Sequence, residues 1–128
     1  LGDSWDFSFS GLKTAVLREV RKLEKEGTLP VANLAASFQA AVVDVLYTKT
    51  MKAAREYGAK EILVAGGVSA NAALRQAFTD QDEFPVNIPH ISLCTDNAAM
   101  IAAAGYRRFQ AGQRDPLDLD ILPTWRLS

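Results

Sequence analysis

One short run, Glu61-Ile62-Leu63-Val64-Ala65, constrains this chain most: it is mostly apolar and sits between Gly58 and the pair Gly66-Gly67. A run that short and that apolar reads as a β-strand buried on both faces. Such a strand needs helices to cover it, and the flanking sequence has helical periodicity. Leu12, Val16, Val20 and Leu23 predict a helix from Leu12 to about Glu26, with Lys, Arg and Glu on its other faces and Gly27 as its stop. Pro30 suits the first turn of a second helix running to about Tyr57 and ending at Gly58. Its stripe of Leu34, Phe38, Val42 and Leu46, broadened by Val31, Ala35, Ala41 and Val45, implies burial against a sheet or other helices. Val68 to Phe78 reads as a third helix. Asn97 to about Gln110, capped by Thr95 or Asp96 and stopped by Gly112, reads as a fourth.

Two further strands are expected. Trp5-Asp6-Phe7-Ser8-Phe9-Ser10 alternates aromatic and polar side chains, the period of a strand with one buried face, and Ser10 would then cap the first helix. Val86-Asn87-Ile88, held between Pro85 and Pro89, is a weaker candidate. Residues 79–84 read as a polar loop and residues 113–128 as irregular. Strands alternating with helices predict a helix-rich α/β fold. Two or three strands are too few to cover these helices, so the sheet reads as incomplete.

Composition narrows the class. The chain has 128 residues, 48% apolar and 23% charged, which excludes a disordered tail, a collagen-like fibre and a disulfide-stapled miniprotein. A formal charge of −1 gives no net field to mark a nucleic-acid or membrane binder. The single cysteine, Cys94, forbids an intramolecular disulfide and a four-cysteine zinc site, and fits a reducing compartment. Leu1 to Asp6 lacks the basic and apolar regions of a secretory signal, and no uninterrupted apolar run of about 18 residues is present. A soluble, cytoplasmic protein is expected. The start at Leu1 rather than Met fits a fragment of a longer protein.

The sharpest motif is Gly66-Gly67-Val68-Ser69-Ala70-Asn71, lying between a strand and a helix. Glycines there let a ligand approach the backbone, the helix start offers unpaired N–H groups, and Asn71 adds an amide that donates and accepts. The motif reads either as a nucleotide site at the carboxyl end of a strand or as a tight strand-to-helix turn. It matches neither a dinucleotide fingerprint nor a P-loop. Cys94-Thr95-Asp96-Asn97 offers a carboxylate at a helix start, either a metal ligand or an N-cap. His90, Cys94 and Asp96 lack a zinc spacing, and no Gly-x-Ser-x-Gly or His-Glu-x-x-His occurs. Lys13, Arg18, Arg21, Lys22 and Lys25 interleave with Glu19, Glu24 and Glu26, a solvated face or a nucleic-acid patch.

Taken together, the stretches Asp6-Phe7-Ser8-Phe9-Ser10-Gly11-Leu12-Lys13-Thr14, Gly66 to Asn71 with Leu74-Arg75, and Cys94 to Ala102 resemble the TsaD (Gcp, YgjD, Kae-type) glycoprotease family in that family's order. The closing Leu122-Pro123-Thr124-Trp125-Arg126-Leu127 is similar to its C-terminus. The resemblance covers the C-terminal third or so of the family protein, so residues 1–128 would lack an N-terminal lobe and the start of their own. It implies an actin-like (ASKHA, RNase H-like) ATPase fold. It also implies transfer of a threonylcarbamoyl group from threonylcarbamoyl-adenylate to an adenosine beside the tRNA anticodon. An older label for the family is O-sialoglycoprotein endopeptidase, a metal-dependent alternative; a non-catalytic nucleotide-binding assembly module is another.

By the same resemblance the nucleotide-contacting asparagine falls on Asn71, with Gly66 and Gly67 beside the nucleotide, and the metal-binding aspartate falls on Asp96. The family's divalent metal, iron or zinc, has further ligands in a His-x-x-x-His pair that lies outside this chain, and His90 matches neither histidine. The implied partners are tRNA and the accessory subunits of the threonylcarbamoyl-transfer complex. A fragment of this kind is expected to be inactive alone, to hold no cofactor by itself, and to expose apolar helix faces such as Phe38, Val42 and Val45. Those faces favour a homodimer or a domain swap.

Overall fold

A computed structural model of the chain describes residues 4–120. In order, these form α1 (Phe9–Lys25), α2 (Val31–Glu56), β1 (Ile62–Leu63), a 3-10 turn over Gly67–Ala70, α3 (Ala72–Thr79), β2 (Val86–Asn87), a 3-10 turn over Ile91–Leu93 and α4 (Ala98–Gln110). β1 and β2 pair in parallel, Ile62 opposite Val86 and Leu63 opposite Asn87. The fold is a helix-rich α/β arrangement around a two-stranded parallel ribbon.

The core forms where the C-terminal half of α2, β1 and α3 meet. Met51, Ala54, Ile62, Leu74 and Phe78 are buried together, flanked by half-buried Leu46, Tyr47, Val64, Phe84, Val86 and Ile88. Tyr47 meets the Phe78 ring edge-on with centroids 5.3 Å apart. Each fully buried large side chain in such a cluster contributes about 1.5–3 kcal/mol. α2 ends in a Schellman closure: Gly58 takes φ 60°, its N–H reaches the Arg55 carbonyl, and the Ala59 N–H reaches the Ala54 carbonyl. That left-handed step turns the chain back into β1. A bidentate Arg55–Glu83 pair, at 2.7 and 2.6 Å, ties the end of α2 to the loop entering β2.

Several expectations are corrected. Trp5 to Ser10 is not a strand: among the described residues it finds no partner strand, and α1 already begins at Phe9 with Ser8, not Ser10, at its cap position. Phe7 and Phe9 stack on each other instead, with Lys49 over the Phe7 ring. The 61–65 strand is buried on one face only: Ile62 is buried while Leu63 is 70% exposed, because helices cover a single side of the ribbon. The predicted 68–78 helix breaks at Asn71, whose extended backbone separates the 3-10 turn from α3. On α2 the broad stripe is only half-buried or exposed, and full burial comes only at Met51 and Ala54. Leu12, Val16, Val20 and Leu23 do form the half-buried face of α1. The motif from Leu122 to Leu127 lies outside the described residues.

α2 also bears on the expectation that no segment crosses a bilayer. Its 26 residues, with a mean hydropathy of 1.3 over the best window, are long and apolar enough for a span by length and composition. None of that window is buried, and α2 contributes only Met51 and Ala54, near its C-terminal end, to the buried core.

Candidate functional site

Because β1 and β2 are parallel, the chain leaves both strands at the same end of the ribbon. The glycine-rich turn follows β1, and the segment from Pro89 to Asn97 follows β2. Carboxyl ends of neighbouring parallel strands are where open α/β sheets place ligands. A β-carbon placed on Gly67 would lie 3.9 Å from Thr95 Cγ2, so the two turns approach each other closely. The two motifs that the sequence keeps far apart thus form one rim.

The first turn is held from within. Gly66 takes φ 89° and ψ 172°, and its carbonyl accepts the Ser69 N–H at 3.0 Å and the Ser69 hydroxyl at 2.6 Å. Ser69 is 1% exposed, so this hydroxyl is satisfied in place of water. Asn71 then caps α3: its Oδ1 accepts the Leu74 N–H at 3.0 Å, and its Nδ2 donates to Gln39 Oε1 at 3.0 Å. The tight-turn reading of the motif therefore holds. The glycines make a tight turn, and that turn presents Asn71 at the carboxyl end of β1.

The second turn is clamped by Arg75. Its guanidinium donates to the Pro89 carbonyl at 2.8 Å and to Cys94 Sγ at 3.0 Å, joining α3 to the segment after β2. Cys94 is buried at 3% exposure and serves as packing beneath the turn. Neither Thr95 nor Asp96 caps α4. Asn97 does, its Oδ1 accepting the Met100 N–H at 3.1 Å while its Nδ2 donates to the Thr95 carbonyl. Asp96 is left exposed at the rim. His90 is engaged locally, its Nδ1 lying 2.9 Å from Ser92 Oγ.

Among the described residues no three of His, Cys, Asp and Glu gather as a metal site. One exposed carboxylate does not hold a divalent ion that expects several protein donors. Asp96 by itself therefore does not make a metal centre.

Beside Asn71 a cavity of about 640 Å³ opens between α1, α2 and the glycine turn. Leu12, Phe38, Val42 and Val68 give it apolar walls, while Lys13, Gln39 and Asn71 supply polar groups. This is the usual make-up of a small-molecule site, apolar surface with a few convergent polar atoms. The basic residues of α1 lie on its exposed faces, with Lys22 3.9 Å from Glu19, as a solvated surface would have them. Sequence reasoning overlooked Gln39, and quoted Ser69 and Arg75 without a role. Gln39 and Arg75 act through fold-dependent contacts that spacing does not signal.

Comparison with known proteins gives one consistent result. A family model described as TsaD, tRNA N6-adenosine threonylcarbamoyltransferase, matches residues 2–103. A protein of that name from Dehalococcoides mccartyi is 57% identical over 120 residues, covering 94% of this chain and 36% of its own length. Namesakes from Geobacillus kaustophilus and Thermomicrobium roseum are 52% and 50% identical, again over 94% of this chain and 37% and 39% of their own lengths. The chain thus spans a little over a third of the relatives it matches.

Proposed function

Because this chain belongs to the TsaD family of tRNA N6-adenosine threonylcarbamoyltransferases, we propose that it is the C-terminal part of such an enzyme and forms one wall of its nucleotide site. The observation that carries this reading is the single rim made by Gly66, Gly67 and Asn71 with the Thr95–Asp96 turn, at the carboxyl ends of two parallel strands. The fold proposed for the whole is actin-like, with this chain completing part of one lobe. The relatives' names favour the transferase over the older endopeptidase label.

The proposed substrate is threonylcarbamoyl-adenylate, a mixed anhydride that is already activated. The exocyclic amine of an adenosine beside the tRNA anticodon attacks the carbamoyl carbon, the bond from that carbon to the phosphate oxygen breaks, and AMP leaves as the amine gives up a proton. Chemistry of that kind asks the protein mainly for positioning and for hydrogen bonds to developing charge. The glycine turn lets the adenylate approach the backbone. Asn71, fixed at the head of α3, offers its remaining N–H and lone pair to the nucleotide. Asp96, whose carboxylate alone does not hold a metal, would be one donor among several to a divalent ion, iron or zinc, in the full-length enzyme. The partners are tRNA and accessory subunits of a cytoplasmic complex.

The test is threonylcarbamoylation of tRNA by full-length protein carrying Asn71→Ala or Asp96→Ala. Loss of transfer in a folded variant supports the reading; normal transfer in both variants overturns it.

A further inference from the structure

We propose that Gln39, on α2, is a positioning residue that holds the Asn71 amide in the orientation its cap selects. The inference rests on the reading of Asn71 as a nucleotide contact and assigns the device that orients it.

A chain of donors and acceptors carries it. The Leu74 N–H at the head of α3 can only donate, so the Asn71 atom beneath it has to be the oxygen, Oδ1, at 3.0 Å. That choice points Nδ2 towards α2, where it donates to Gln39 Oε1 at 3.0 Å. Gln39 must therefore present its oxygen, which turns its own NH2 away from Asn71. Both side chains line the 640 Å³ cavity. One amide hydrogen and one lone pair of Asn71 remain uncommitted by these two bonds, and their directions are held jointly by the cap and by a residue 32 positions away. Without an acceptor at position 39, the cap alone would hold the amide, and its plane would be less tightly restrained. A donor that must meet a ligand in one orientation then has its geometry loosened, and preorganisation is lost before the contact itself.

The requirement at position 39 is an acceptor of the right length. Gln39→Met keeps the length and removes the acceptor; Gln39→Glu keeps the acceptor. The probe is adenosine, which has no phosphate for a carboxylate at position 39 to repel, titrated into full-length protein by NMR. Gln39→Met is expected to weaken binding about fivefold to tenfold, the loss of one oriented hydrogen bond. Gln39→Glu is expected to bind within about twofold of wild type, with melting temperatures alike in all three proteins. The Asn71 side-chain NH2 resonances should exchange faster with solvent in Gln39→Met alone. Should Gln39→Met fold poorly, that resonance pair in Gln39→Leu decides the same point. Wild-type affinity and unchanged exchange in the variants lacking an acceptor, with Asn71→Ala weakened, overturn the role of Gln39. Wild-type affinity in Asn71→Ala overturns the nucleotide reading itself.

Discussion

At the scale of single residues, the site depends on backbone angles and amide orientations. Gly66 has φ 89° with ψ 172°, a combination open essentially to glycine alone. Nothing lies within 4 Å of the β-carbon that an alanine would add, so Gly66→Ala meets backbone strain rather than a clash. The expected loss is about 1–3 kcal/mol, read from urea denaturation of the variant against wild type; an unchanged midpoint would contradict the backbone assignment. The importance of the Gly-Gly pair was legible because few residue types tolerate such a turn. The cap of α4 was not. Thr95, Asp96 and Asn97 are all good capping residues, and the choice among them is set by where the preceding turn releases the chain. Gln39 was illegible for a related reason, since its partner comes from another helix.

At the scale of elements, α2 against α3 carries the fold. Phe78, 3% exposed and set edge-on to Tyr47, closes that contact. Phe78→Ala is expected to cost about 3–5 kcal/mol, enough to shift the thermal midpoint markedly in calorimetry; a change below about 1 kcal/mol would place the core elsewhere.

The Arg55–Glu83 pair gives an element-scale dependence on pH. The hydrogen bond from Arg55, with its charge, holds the Glu83 carboxyl below the usual carboxylate range, and the same contact raises Arg55. A lowered carboxyl stabilises the fold above its unfolded value, and that contribution fades as pH falls through the folded value. Both groups are exposed, so the effect is small. Glu83→Gln should reduce the fall in melting temperature between neutral and acidic pH; an identical slope in both proteins would show that the pair adds nothing.

Helix existence at this scale was largely legible, from the four-residue periodicity of α1 and α2 and from the glycines at 27, 58 and 112, all of which take positive φ. The aromatic alternation of Trp5 to Ser10 misled because period two marks a strand only where another strand pairs with it. The break at Asn71 had a signal in the sequence, since asparagine is a favoured N-cap, but the apolar spacing from Val68 to Phe78 outweighed it.

At the scale of the whole molecule, apolar surface is left open. On α4 no residue is buried, and Ile101, Phe109 and Tyr106 are 69%, 60% and 59% exposed. Phe38 on α2 is 41% exposed. Patches of this kind favour association. The 128-residue chain is therefore expected to sediment as a dimer or larger species, shifting with concentration, while a strictly monomeric profile at all concentrations would count against the open faces. The shortage of strands was legible in the sequence. Which faces it leaves bare was legible only for α2, because the small-residue pattern of α4 does not reveal what it packs on.

In the proposed site the turn from Gly66 to Asn71 faces an adenine nucleotide. Photolabelling of the full-length protein with an azido-adenine nucleotide, followed by peptide mapping, checks this placement. Label on peptides spanning Gly66–Asn71 or the facing walls at Leu12 and Phe38, competed by unlabelled ATP and diminished in Asn71→Ala, is the predicted result. Competed label confined to peptides outside these 128 residues would contradict it.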